Sequence, residues 1–244
     1  MGRLKMPFFR KLGAKDVALT ACFAALYVVL SFLPIFQLIG FSKYITVATI
    51  LAPIIGIVLG PYLGTASTLL GGIISLFFSP FFAPFSLAGG VVGALCGALL
   101  YQGKRTLCAI IYLAILLVFG FYPSVGPVWV FPPYMWFQAA GFLILISPLQ
   151  SLASKNFKSG SNAKLLFAFL ITSLTSSMAS QIAGTLVYEM ITLTSDWHAF
   201  WIALAVVYPI ERTAIAIIAA LIGAPMFKVL QSTNLISVTR PSRK

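Results

Sequence analysis

The stretch Ile50–Phe77, ILAPIIGIVLGPYLGTASTLLGGIISLF, carries no charged residue and is interrupted by Gly60-Pro61. A helix on the surface of a soluble domain keeps a polar face toward water, and this stretch has none, so it reads as chain solvated by lipid. Proline cannot continue a preceding helix, because it lacks the backbone N–H and its ring meets the previous turn, but it opens a new helix well. The stretch therefore predicts two helices joined by a tight hairpin, inside or just at the membrane.

Composition extends that reading to the whole chain. Of 244 residues, 60% are hydrophobic and 8% are charged, whereas a soluble domain carries about a quarter charged residues. Apolar segments run at roughly 17–37, 44–60, 61–79, 84–102, 106–122, 134–153, 163–193 and 198–228. The expected fold is an all-α polytopic membrane helix bundle with eight hydrophobic segments, forming one integral membrane domain over 1–244. The stretch 1–15 is a basic N-terminus and 229–244 a basic C-terminal tail. The first apolar run is long enough to span and has no convincing A-x-A cleavage site, so it reads as a transmembrane helix and not a signal peptide.

Net charge is +12, but the basic residues sit in short clusters between apolar runs, which topology explains better than a nucleic-acid surface. With the N-terminus inside, the inner pieces hold Lys15, Lys104, Arg105, Lys155, Lys158, Lys164 and Lys228 besides both basic tails. The other side receives Lys43 alone. This asymmetry places both termini in the cytoplasm of a multi-pass cell-membrane protein. Cys22, Cys96 and Cys108 have no CxxC or Cys/His spacing, so no metal site or disulfide framework is expected.

Small residues mark where helices meet. Gly56, Gly60 and Gly64 form one GxxxGxxxG series and Gly89, Gly93 and Gly97 another, both read as packing within the chain. Ala14, Ala18, Ala21 and Ala25 line one face of the first helix, next to its basic end, where another subunit could dock.

KDVALTACFAALYVVLSF (Lys15–Phe32) and FSKYITVATILAPIIGIVLGPYLGTASTLLGGIISLF (Phe41–Phe77) resemble the N-terminal half of the substrate-binding S components of energy-coupling factor (ECF) vitamin transporters. The Ala-xxx-Ala motif of that family is matched by Ala21 and Ala25, and its Gly-Pro junction with a following glycine by Gly60, Pro61 and Gly64. YPIERTAIAIIAALIGAPMFKVL (Tyr208–Leu230) is similar in style to the family's last helix. The resemblance implies a six-helix S-component-like core, beside which two of the eight segments are an insertion or re-entrant. It also implies a protein that binds a small vitamin-like micronutrient on the outer side. Delivery inward would then need a transmembrane coupling subunit and two cytoplasmic ATPases, with Ala18, Ala21 and Ala25 forming the docking face.

An enzyme is the competing class. One histidine and four carboxylates, Asp16, Glu189, Asp196 and Glu211, are scattered along the chain, without HExxH, GxSxG or an aspartate-rich motif. No catalytic residues, no cofactor and no ATPase loop of its own are expected. A stand-alone secondary carrier or a lipid-handling protein remains the alternative.

For the ligand, Ser173, Ser177, Gln181, Gly184 and Tyr188 follow helical steps and form a polar face that ends near Glu189; in lipid it must point inward. Trp129, Trp136, Trp197 and Trp201 lie toward the outer side, as an interfacial belt or as stacking surfaces for a flat ligand. In the last segment His198, Trp201, Tyr208 and Arg212 share a face leading to the middle of the span, where an arginine must find a partner. Candidate ligand contacts are thus Gln181, Tyr188, Glu189, Trp201, Tyr208, Arg212 and Trp136. Glu211, about 100° around the helix from Arg212, is expected to meet a neighbouring helix instead. Arg212 is either a pocket residue or part of a charge cluster that locks helices together by reaching Glu189 or Glu211.

Overall fold

The computed structural model describes residues 13–37, 44–192, 196–233 and 235. The chain is an all-helical bundle with one small strand pair. Its elements are α1 (Ala14–Ser31), β1 (Pro34–Gln37), β2 (Tyr44–Thr46), α2 (Ala48–Phe78), α3 (Pro84–Tyr101), α4 (Arg105–Gly120), α5 (Pro127–Val130), α6 (Trp136–Ile146), α7 (Pro148–Asn156), α8 (Asn162–Ile191) and α9 (Trp197–Ser232). A 3-10 turn, Pro132–Met135, stands between α5 and α6. Among the described residues, five helices are long and apolar enough to cross a membrane, six if the bent pair of Pro132–Ile146 and α7 is taken as one span.

α2 is not one rod. Gly60 has φ +82° and ψ 179°, outside helical geometry, a conformation that L side chains rarely adopt. A Cβ built on Gly64 would lie 2.9 Å from the Cα of Gly56, whereas eight residues of continuous helix would separate those positions by about 12 Å. The chain folds back on itself at Gly60, so 48–59 and 61–78 are antiparallel neighbours held in glycine-to-glycine contact. The hairpin expected at Gly60-Pro61 is present.

Pairings fix the direction of the other helices. Ser67 donates to Thr20 O at 2.9 Å and Ser79 to Ser31 O at 2.7 Å, so α1 and 61–78 run parallel. Gly56 packs on Ala94 and Gly97 on Pro53, while Gly184 packs on Phe85 and Gly89 on Ser180. α3 is thus wedged between the first half of α2 and an antiparallel α8. Tyr112 donates to Gln138 O and Arg105 to Ser147 O, setting α4 antiparallel to α6 and α7. Gly223 packs on Phe169, and Lys228 meets Asn162, at the shared end of α8 and α9. One end of the bundle therefore holds the start of α1, the Gly60 turn, the α3–α4 and α7–α8 connections and the end of α9. The far end holds the strand pair, residues 121–135 and the start of α9.

Two expectations need correction. The first apolar segment does not stay helical to residue 37: α1 ends at Ser31, and Pro34–Gln37 pairs antiparallel with Tyr44–Thr46. Pro34 ends the helical run and biases Leu33 toward extended backbone, and the second segment consequently opens as a strand. The segment 134–153 is likewise not one helix, since α6 and α7 meet at 59°. Ser147 is extended there (φ −78°, ψ 166°), its hydroxyl accepts from Leu149 N, and Pro148 occupies the first helical position, which is the chemistry of a helix start. Lys43 and most of both basic tails lie outside the described residues.

Among the described residues, two large apolar cores fill the bundle, with a small third around Ala83, Phe85 and Tyr188. One joins α1, both halves of α2 and the terminal-end parts of α8 and α9 around Phe157, Phe169 and Phe227. The other joins α3, α4, α6, α8 and the start of α9 around Tyr112, Phe119, Tyr134 and Trp201. α8 contributes to both. Its hydroxyl-rich face is buried, with Ser173, Ser177 and Gln181 at most 3% exposed. Several of these side chains close on backbone carbonyls of their own helix, as Ser176 does on Thr172 O at 2.8 Å. Both glycine series are also used inside the chain, as expected.

Candidate ligand pocket at the far end

Between α3, α8 and α9, with β2 and the start of α2 as a further wall, lies an open pocket whose about 620 Å³ of empty space includes solvent outside it. α8 contributes Ser180, Gln181, Gly184, Thr185 and Tyr188, successive turns of its buried polar face. α9 contributes Phe200, Leu204, Tyr208 and Arg212, each four residues from the last. A four-residue step advances only about 40° around a helix, so these side chains form one slowly turning stripe. α3 adds Phe85, Ser86, Gly89 and Gly90, and Ile45 and Thr49 complete the wall. Phe85, Tyr188 and Phe200 stand near their helix ends. Arg212 lies twelve residues beyond Phe200, about 18 Å along the axis at helical rise. The pocket has an aromatic mouth and a polar, cationic depth.

Its glycines permit the close fit of α3 and α8. A Cβ on Gly184 would approach Phe85 O to 2.9 Å, and one on Gly89 would approach Ser180 O to the same distance. The aromatic mouth is packed from within: Tyr188 and Phe200 stack at 5.1 Å with 4° between their planes, and Phe85 meets Tyr188 edge-on at 5.9 Å.

The polar wall is wired from behind. Gln138 Nε2 donates to Gln181 Oε1 at 3.3 Å, and Gln181 Nε2 donates to Tyr134 OH at 2.9 Å and to Thr185 Oγ1 at 3.3 Å. Thr185 in turn donates to Gln181 O at 2.8 Å. Gln181 therefore has a fixed amide orientation, and it anchors the pocket to the second core.

Glu211 and Arg212 do not part company as their angular separation predicts. Arg212 Nη2 lies 2.6 Å from Glu211 Oε1, with both side chains at most 5% exposed. Both side chains are long enough to curl toward each other across the helix surface, which the Cα directions alone do not reveal. The contact is an ion pair by distance without hydrogen-bond geometry: Glu211 Oε1 and Arg212 Nε have no hydrogen-bond partner among the described residues. The guanidinium also sits 5.6 Å from the centre of the Tyr208 ring, within cation–π range.

Of the residues singled out from the sequence, the fold brings Gln181, Tyr188, Tyr208 and Arg212 together around one pocket. The other three stand elsewhere. Trp201 is fully buried in the second core, with its indole N–H donating to Val125 O at 2.9 Å and Tyr134 4.8 Å away. Trp201 and Tyr208 differ by only about 20° around α9, so direction does not keep Trp201 from the pocket; the chain from Val125 to Tyr134 covers it. Trp136 is 56% exposed and lies against Phe137. Glu189 is 4% exposed, turned away from the pocket lining, and neither carboxylate oxygen has a hydrogen-bond partner among the described residues. His198 is exposed and edge-on to Phe131. The pro-rich aromatic stretch after α4 thus caps the second core and does not line the pocket.

Phe200, Leu204, Thr185 and Phe85 line the pocket without having been singled out. Thr185 and Leu204 were within reach of the helical steps, being four residues from Gln181 and Tyr208 respectively. Phe85 and Phe200 carry no signal among 21 phenylalanines.

The alanine face of α1 is uncovered. Ala14, Ala18, Ala21 and Ala25 are all exposed, while Phe23, Ala24 and Tyr27 turn inward against α2 and α3. Comparison with protein-family models, with curated proteins and with solved structures finds no match to this chain.

Proposed function

We propose that this chain is the substrate-binding membrane subunit of an energy-coupling factor transporter. It takes a small vitamin-like micronutrient from the outer side and delivers it inward with a coupling subunit and two ATPases. The observation that carries this reading is the position of the pocket. Its lining residues lie in the far half of the bundle, whereas Lys15, Lys104, Arg105, Lys155, Lys158, Lys164 and Lys228 belong to elements at the other end. Under the positive-inside rule the basic end is cytoplasmic, and the mouth faces outward.

Two further features support it. The pocket combines a mainly apolar wall with a few fixed polar groups, the usual build of a small-molecule site. The exposed alanine face of α1 admits close approach of another helix, and it lies on the side of α1 opposite the one that packs on this chain's own core. The second reading, a stand-alone secondary carrier, shares the pocket but has no use for that face.

Substituting Ala21 or Ala25 by Trp separates the two readings. In cells carrying the complete transporter, either variant is expected to abolish ligand uptake while the purified chain keeps its ligand affinity, ligands being found by thermal-shift screening against vitamins and their precursors. Undiminished uptake by both variants would refute the coupling role.

A further inference from the structure

The geometry points to an organic anion as the pocket's ligand: a water-soluble molecule with a ring-sized apolar body at the aromatic mouth and a carboxylate or phosphate on Arg212. This rests on the reading of the pocket as a binding site and adds the chemical class of what it binds.

Arg212 is the one charged residue among those lining the pocket, and it is 4% exposed. A guanidinium carries five N–H donors in a planar fork that matches carboxylate and phosphate oxygens in pairs. Here the described partners are the short contact to Glu211 and the face of Tyr208, and Nε has no acceptor. An arginine that only tied helices together would be expected to spend its donors on carbonyls or carboxylates of the neighbouring helices, as Arg105 does on Ser147 O and Ser151 Oγ. Arg212, which lines the cavity, keeps its Nε donor unspent among the described residues.

The other strong polar group of the wall is already engaged. Gln181 has its oxygen and its nitrogen occupied by Gln138, Tyr134 and Thr185. The remaining polar lining groups are hydroxyls, on Thr49, Ser86, Ser180, Thr185, Tyr188 and Tyr208. They can orient a ligand but bring no charge. Neither Glu189 nor Glu211 is among the lining residues; the Glu211 carboxylate touches Arg212 Nη2 at 2.6 Å, so an incoming anion shares the guanidinium with it from the cavity side. In the low dielectric of a bundle interior, a charge-assisted contact is favoured over a neutral one.

A matched pair of probes tests this: indole-3-acetate and indole-3-acetamide, equal in shape and differing in charge, titrated by calorimetry into the purified full chain. Hydrogen bonds to a charged group exceed neutral ones by enough to make the acid bind about tenfold more tightly. Because Arg212→Gln alone leaves Glu211 buried and unpaired, the decisive variant is Glu211→Gln with Arg212→Gln. It is expected to lose the preference for the acid, acid and amide then binding alike, while Arg212→Lys keeps part of that preference. Equal behaviour of acid and amide in the unaltered chain, whether both bind or neither does, overturns the proposal. So does an acid preference that survives the double substitution. Repeating the titration in nanodiscs of phosphatidylcholine with added phosphatidylglycerol separates a solute from a lipid headgroup: displacement of indole-3-acetate by the anionic lipid would overturn the assignment to a water-soluble ligand. Ala21→Trp is expected to leave the acid preference intact, so a failed docking role and a failed anion site give different results.

Discussion

At the scale of single residues, the buried pair on α9 is where structure and chemistry are most closely tied. Arg212 in mid-span carries an insertion cost of about 2.5 to 3.5 kcal/mol, and Glu211 beside it offsets part of that cost. Removing one member strands the other, which costs about 3 to 5 kcal/mol in buried pairs, whereas removing both together is often nearly neutral. Arg212→Gln is therefore expected to lower the thermal unfolding midpoint in detergent well below that of the unaltered chain, and Glu211→Gln added to it to restore most of the loss. A single variant as stable as the parent would mean that the pair contributes nothing to the fold. The sequence disclosed the arginine, since a charge inside an apolar run announces itself. It left the partner open between Glu189 and Glu211, because the angle between adjacent Cβ atoms says little about where two long, flexible side chains end.

Among the elements, the α2 hairpin shows how much a few small residues can decide. Its Gly-Pro junction was readable because proline and glycine restrict or release the backbone locally. The close approach that follows is tight: a Cβ at Gly56 would fall 1.9 Å from Ala94 O, with no flexible side chain to give way. Gly56→Ala is expected to cost about 3 kcal/mol or more through overpacking, seen as loss of the monodisperse peak in fluorescence-detected size exclusion. Gly160→Ala, where nothing lies within 4 Å of the added carbon, should leave that peak unchanged. The strand pair and the α6–α7 break were less legible. Both lie inside continuous apolar runs, so hydropathy hides them, and Pro34 and Pro148 marked the positions without saying whether a strand, a bend or a new helix follows. On α9 the pocket stripe is set by four-residue steps through Phe200 and Leu204, two residues whose types are too common in this chain to stand out.

For the whole molecule, the apolar runs disclosed the helical membrane bundle, although five to six long apolar helices stand among the described residues where eight segments were read; the pocket emerged only from how three helices and a strand converge, a long-range arrangement that no local pattern encodes. The Lys and Arg asymmetry predicts the sidedness. With Cys22, Cys96 and Cys108 replaced, Trp129→Cys at the far end is expected to react with a membrane-impermeant maleimide in intact cells, and Lys158→Cys at the basic end only after permeabilisation. Both positions are exposed. The opposite pattern would turn the pocket mouth toward the cytoplasm. The central claim is that this chain works as the ligand-binding part of a larger transporter, docking through the small-residue face of α1. Affinity purification of the tagged chain from its native membranes, with quantitative mass spectrometry, tests it most directly. The account predicts recovery of a polytopic coupling subunit and two ATPases bearing nucleotide-binding loops, all lost together with Ala21→Trp. Recovery of the chain without ATPases, together with ligand uptake by the chain alone in proteoliposomes, would contradict it.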